Sequence, residues 1–251
     1  MVKYVYPNDI DYVSHELSIE LLRNKFQHGM DTIETQFRMN LNGSAKWVSC
    51  TEYCHPANPS KMILIINDID QKKRKEIELQ NQAERDGLTG LYNAVTTRKK
   101  IEEALAYGYQ SDEKQVFVLL DLDNYKLIND TFGHIYGDQV LVDVAQMMKK
   151  RFRSSDIIGR MGGDEFVILL RNIRSYQYVG ALIHELCDMI YKTYTQDGQG
   201  VTLSASVGVT WAPLDGRTFA ELYQKSDIAL YQVKKQSKNG YKHYDASLNQ
   251  K

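Results

Sequence analysis

Two uninterrupted apolar runs, Val116 to Leu120 and Phe166 to Leu170, constrain this chain more than any other feature. A strand without polar alternation must be covered on both faces, so helices are needed above and below a sheet. Such helices are available. Val140, Leu141, Val144, Ala145, Met148 and Phe152 form a helical stripe, and Lys149-Lys150-Arg151 at its end suits a helix C-terminus. Val201, Leu203, Ala205, Val207 and Val209 alternate strictly and predict a further strand, and a last helix is expected from about Phe219 to Gln236. The pattern predicts one α/β (α+β) domain over residues 86–251.

The first third reads differently. Ile10, Val13, Leu17, Leu21 and Leu22 share a stripe that predicts one helix over 9–28. Ile33, Thr35, Phe37, Met39 and Leu41 then alternate as a strand, Asn42-Gly43 suits a tight hairpin, and Ala45 to Tyr53 returns. Lys61 to Asn67 follows as a third strand, after a loop with Pro56 and Pro59. Residues 70–85, polar and without Gly or Pro, predict a helix with too few apolar residues to bury much by itself. It is either a solvated linker or a short dimeric signalling helix.

Apolar residues are 43% of the chain and charged residues 25%, which excludes wholesale disorder. With 31 Lys and Arg against 32 Asp and Glu, no global attraction to nucleic acid or anionic lipid is expected, so phosphate chemistry must rest on a local site. No apolar run is long enough to cross a bilayer, and no leader of secretory type is visible. Cys50, Cys54 and Cys187 therefore read as reduced thiols of a cytoplasmic protein. A metal site from Cys50, Cys54 and His55 lacks a fourth ligand, and two core-facing thiols are the simpler reading.

Two acidic clusters carry candidate chemistry. Asp121-Leu122-Asp123 ends the first apolar run, and Gly162-Gly163-Asp164-Glu165 precedes the second. The glycines suit a hairpin that leaves room for a bulky ligand, with Asp164 and Glu165 at its tip. Asp121 and Asp164 together would offer hard oxygen ligands to Mg²⁺, which takes one or two carboxylates plus substrate phosphates.

DGLTGLYN (86–93), DLDNYKLINDTFGHIYGDQVL (121–141), RMGGDEFVILL (160–170), SVGVTW (206–211) and SDIALYQVKKQSKN (226–239) resemble a GGDEF domain, with the motifs in order and at the family's spacing. YPND (6–9), NGSAKWV (42–48) and LIINDIDQKKRKE (64–76) resemble the C-terminal half of a PAS sensor domain. The resemblances imply a partial PAS-like α+β segment (1–69), a linker or signalling helix (70–85) and a nucleotidyl-cyclase-like mixed sheet flanked by helices (86–251).

The GGDEF resemblance implies a bacterial diguanylate cyclase, a homodimer that condenses two GTP into cyclic di-GMP with Mg²⁺ or Mn²⁺. It assigns metal binding to Asp121, Asp164 and the Leu122 carbonyl, and activation of the 3′-hydroxyl or a second metal to Glu165. Guanine falls to Asn129 and Asp138 between walls of Leu88 and Leu141. Phosphates fall to Lys126, Lys234 and Lys238, with backbone N–H groups near Asn124 and Tyr125. Arg153 and Asp156 match an inhibitory R-x-x-D product site. Ala94 and Lys238 stand where the family usually has arginines, and His184 is no evident substitute for the second arginine of some product sites. The rival readings are a catalytically silent module that binds GTP or cyclic di-GMP, and an interaction fragment.

Overall fold

A computed structural model describes residues 4–41, 43–54, 61–111, 114–173, 175–236 and 238–249. The chain divides into two compact units, Met1–Asn81 and Gln82–Lys251.

In the first unit, α1 (Ile10–Glu16) and α2 (Ile19–Gln27) replace the single helix expected over 9–28. The break has a local cause. Ser18 is extended (φ −66°, ψ 138°) and its hydroxyl accepts from Leu21 N at 3.4 Å, capping α2. β1 (Thr32–Leu41), β2 (Ser44–Cys54) and β3 (Met62–Asp68) form an antiparallel meander in that order. Gly43 has the positive φ of the expected hairpin (80°), while Asn42, His55, Pro56 and Pro59 lie outside the described residues. Val5, Val13, Phe37, Met39, Val48 and Cys50 form the small core. Cys54 is only half-buried, so of the two thiols Cys50 alone belongs to it. The linker helix α3 (Asp70–Glu84) contains no buried residue, as its composition predicts.

The second unit is built on a six-stranded sheet. β5 (Ile157–Gly162), β6 (Glu165–Leu170), β4 (Gln115–Asp123), β8 (Gln199–Ala212) and β7 (Lys192–Gln196) lie side by side in that order, all antiparallel, while β9 (Gly240–His243) pairs with β8 in parallel. The central strand β4 explains the first apolar run. Val116, Val118, Leu120 and Leu122 enter one core, shared with residues of α6 (His134–Arg151) and α7 (Tyr176–Ile190). Phe117 and Leu119 enter another, shared with α4 (Ala94–Ser111) and α8 (Phe219–Gln236). Both faces being covered, neither can be polar. β8 obeys the same rule. Leu203 to Ala212 are all buried, with small Ser, Gly and Thr residues between the larger ones.

Candidate active site

The sheet delivers the acidic clusters to one place. β4 and β6 pair so that Asp121 lies directly opposite Glu165, and directly opposite residues project from the same face. Gly162 (φ 147°) and Gly163 (φ 52°) form the turn before β6, where a side chain would be strained. The turn is pinned to β4 because Leu122 N donates to the Asp164 carbonyl at 3.2 Å. The three candidate carboxylates thus converge at the end of the central strand.

Helix α8 closes the site. Tyr223 and Lys234, three turns apart, share a helical stripe. Tyr223 Oη donates to Glu165 Oε2 at 3.4 Å, and Lys234 Nζ lies 2.7 Å from Asp121 Oδ1. Burial raises the Asp121 carboxyl above the ordinary carboxylate range, and Asp164 and Glu165 push it the same way, against the opposing pull of Lys234. Burial, then the Glu165 charge, likewise raises the Tyr223 phenol. Among the described residues no three His, Cys, Asp or Glu form a preformed metal cage. The donor set nevertheless fits a hard cation. Two carboxylates and a carbonyl suit Mg²⁺ when substrate phosphates complete its shell, and such a charge would relieve the repulsion of Asp121 by Asp164 and Glu165.

The residues assigned to guanine lie around α5 (Tyr125–Phe132) and the start of α6. Asn129 packs so tightly on Gly137 that a Cβ there would fall 1.9 Å from its Oδ1. Only glycine fits. That Oδ1 is buried without a hydrogen-bond partner among the described residues, whereas Asp138, one residue on from Gly137, is exposed. Tyr125 sits between the two groups of residues. Burial raises its phenol first, and the charges of Asp138 and Asp164 add to that. Leu88 is 36% exposed, and Leu141 is fully buried in the core beneath.

Of the phosphate candidates, Lys126 is exposed, and Lys238 Nζ donates to Asn124 Oδ1 at 3.2 Å. Asn124 itself has φ 64° and donates through Nδ2 to Thr202 O at 3.0 Å, fixing the step from β4 into α5. Asp123 is the anchor the sequence did not announce. Buried, it accepts from Ser204 Oγ and Ser206 Oγ at 2.8 Å each and from Asn239 N at 3.2 Å, tying β4, β8 and the turn before β9 together.

Two further residues escaped the sequence reading. The Arg160 guanidinium donates to Gly163 O at 2.8 and 3.0 Å and to Asp86 Oδ1 at 3.1 Å, so it joins the hairpin to the segment before α4. Asn93 caps α4 through Thr96 N at 2.9 Å, donates to Ala83 O at 2.7 Å, and its backbone N–H bonds Glu84 O at 3.0 Å. The end of α3 is therefore held by Asn93, with Ala94 in the neighbouring position where an arginine is usual.

Arg153 and Asp156 lie in the turn between α6 and β5. The Asp156 carboxylate accepts from Arg153 N at 3.0 Å and Arg171 N at 3.2 Å, so it closes the turn. The Arg153 guanidinium reaches out over the Tyr178 ring, 6.0 Å from its centroid, into a cleft of about 510 Å³ that Asn172, Ile173 and Ser175 also line.

The sequence model described as diguanylate cyclase, GGDEF domain, matches residues 83–240. The bifunctional diguanylate cyclase/cyclic di-GMP phosphodiesterase MucR of Pseudomonas aeruginosa is 35% identical over 176 residues, covering 70% of this chain and 26% of MucR. The chain thus spans about a quarter of that relative's length. The GGDEF domain of TpbB from Pseudomonas aeruginosa superposes with a TM-score of 0.61 at 29% identity, over 65% of this chain and 96% of that one. A microbial GGDEF domain solved with cyclic di-GMP gives 0.57 at 28% identity, over 66% of this chain and 99% of that one. Sequence match and fold superposition agree: the chain belongs to the diguanylate cyclase GGDEF-domain family.

Proposed function

We propose that this chain makes cyclic di-GMP from two molecules of GTP. The observation that carries the reading is Asp121 opposite Glu165 across β4 and β6, with Lys234 2.7 Å from Asp121. In each half-reaction a ribose 3′-hydroxyl attacks an α-phosphorus. A new P–O bond forms, the bond to pyrophosphate breaks, and the hydroxyl proton leaves. Glu165 accepts that proton, and the Tyr223 hydroxyl orients its carboxylate. Lys126, Lys234 and Lys238 hold the triphosphate against the N-terminus of α5. Mg²⁺ or Mn²⁺, when bound through Asp121, Asp164 and the Leu122 carbonyl, supplies charge neutralisation at the phosphates. Asn129 and Asp138 take the guanine edge between Leu88 and Leu141, and adenine lacks the donor pair that an Asp accepts.

One domain holds one GTP, so two copies must face each other. Arg153 and Asp156, beside their cleft, form a product site for feedback, and the GGDEF neighbour solved with cyclic di-GMP supports a ligand of that kind. Residues 1–69 read as a partial PAS-like input segment, a reading supported by the three-stranded meander, and α3 connects it to the cyclase. Since no described helix is long and apolar enough to cross a membrane, a cytoplasmic setting suits the substrate.

Incubation with GTP and Mg²⁺ followed by nucleotide separation tests the reading. Cyclic di-GMP and pyrophosphate should appear, and Asp164→Asn should abolish both. Nucleotide binding without turnover in the wild type would instead make the chain a silent sensor module.

A further inference from the structure

Three carboxylates converge at the end of β4, and one ammonium group answers them. Lys234 Nζ lies 2.7 Å from Asp121 Oδ1, and among the described residues no other cation is in ion-pair contact with Asp121, Asp164 or Glu165. Two other cations of this region are engaged elsewhere. Arg160 grips Gly163 O and Asp86, and Lys238 bonds Asn124 Oδ1. The Asp121 side chain is 13% exposed and that of Lys234 is 36% exposed, so the carboxylate is nearly closed over while the lysine keeps a path to solvent. Burial and the two neighbouring carboxylates all disfavour the Asp121 charge, and Lys234 is the group that offsets them. The carboxylate that the site offers a metal thus already carries a counter-ion.

We propose that Lys234 is a placeholder for the metal: it holds Asp121 until nucleotide arrives, and yields the carboxylate when the triphosphate takes the ammonium. The inference rests on the cyclase reading above, in which Lys234 is a phosphate ligand, and adds how the site regulates its own filling. Without nucleotide, a divalent cation must displace Lys234 from Asp121 and leave the ammonium without an anion, at the cost of a charge-assisted hydrogen bond. With nucleotide, the phosphates receive the ammonium as Asp121 receives the cation, and every charge keeps a partner. Metal and nucleotide therefore enter together, and by linkage each raises the affinity for the other. The carboxylates are also kept from trapping a loose cation ahead of the substrate.

Binding of Mn²⁺ to the whole chain without nucleotide, read from the electron paramagnetic resonance of the free ion, tests the exchange. Lys234→Met removes the charge and keeps most of the length. It should bind Mn²⁺ about ten- to a hundredfold more tightly than the wild type, the worth of one charge-assisted hydrogen bond. Lys238→Met removes an equal charge from the phosphate set but none from Asp121, and should stay within about threefold of the wild type. Adding α,β-methylene GTP, which cannot be cyclised, should tighten Mn²⁺ on the wild type by a larger factor than on Lys234→Met. Without metal, Lys234→Met should melt below the wild type, and Mn²⁺ should recover the loss. Lys234→Gln repeats the measurements if the Met variant does not fold. A Lys234 variant that binds Mn²⁺ no more tightly than the wild type would mean that lysine and cation share the carboxylate. An equal gain in Lys238→Met would reduce the effect to local charge. Either result, or an equal nucleotide effect in wild type and variant, overturns the proposal. No readout involves turnover, so a chain that makes this exchange but no cyclic di-GMP refutes the cyclase reading alone. A chain that makes cyclic di-GMP with Mn²⁺ binding unmoved in Lys234→Met refutes this inference alone.

Discussion

Arg160 and Asp86, 74 positions apart, meet through Nη1 and Oδ1 at 3.1 Å while the same guanidinium grips the Gly163 carbonyl. The pair couples the segment that follows the linker helix to the turn that carries Asp164 and Glu165. Asp86 is held ready for this role. It accepts from Thr89 N at 2.9 Å and Thr89 Oγ1 at 2.6 Å, and these bonds, with Arg160, keep its carboxyl below the ordinary range although burial opposes them.

Arg160→Lys should therefore keep the charge and lose the fork, releasing either Gly163 O or Asp86. Turnover should fall tenfold or more, while stability falls by about 1–2 kcal/mol. Initial rates of cyclic di-GMP synthesis, set beside denaturant midpoints, check it. Unchanged rates with lost stability would make the fork purely structural.

Base choice should respond to Asp138 and Gly137 by different routes. Asp138→Ala removes the acceptor for guanine's donors, and should weaken GTP far more than ATP, by about 1–3 kcal/mol. Gly137→Ala drives a methyl into Asn129 Oδ1 and should displace the Asn129 side chain, with the same loss of selectivity. Competition binding with the two nucleotides reads both variants. Equal losses for GTP and ATP would place guanine elsewhere.

Feedback should separate Arg153 from Asp156. Arg153 extends into the cleft, so Arg153→Ala should raise the product concentration for half-inhibition roughly ten- to hundredfold and leave initial turnover nearly unchanged. Asp156 accepts from two backbone N–H groups, so Asp156→Ala should also cost about 1–3 kcal/mol of stability. Rates measured across added cyclic di-GMP at matched folded fraction decide. An unmoved inhibition curve for Arg153→Ala retires the site.

Acid stability should depend on His243. Burial lowers its imidazole from the ordinary 6.5, and Trp211 Nε1 donates to its Nδ1 at 3.3 Å, which requires the unprotonated nitrogen. A depressed folded value means that the unfolded chain takes up the proton first. The contribution is complete above about pH 6.5 and declines as pH falls toward the folded value. Denaturant midpoints at pH 7.5 and 5.5 should show a smaller acid loss for His243→Gln than for the wild type. Equal slopes would assign the acid loss to other groups.

Much of the catalytic unit was legible because its signals are local. Unbroken apolar runs can only be strands covered on both faces, Gly162-Gly163 can only be a tight turn, and an acidic pair after each feature falls at a strand end. The first helix was not legible. Its apolar stripe continues through Ser18, and only the extended backbone and the cap at that residue divide it. β8 likewise shows an alternation that its burial does not, since small residues between large ones can face either water or a second layer.

By itself, the sequence determined where strands end, where the hairpin turns and which carboxylates stand at those points, because each follows from backbone sterics and side-chain periodicity within a few residues. Only the tertiary structure decided which groups meet there. Tyr223 reaches Glu165 across 58 positions, Lys234 reaches Asp121 from the last helix, and Asp123 is consumed as a buried anchor while Asp121, two residues earlier, faces the site. Such contacts depend on how helices lie across a sheet, and the spacing of residues along the chain carries no record of that.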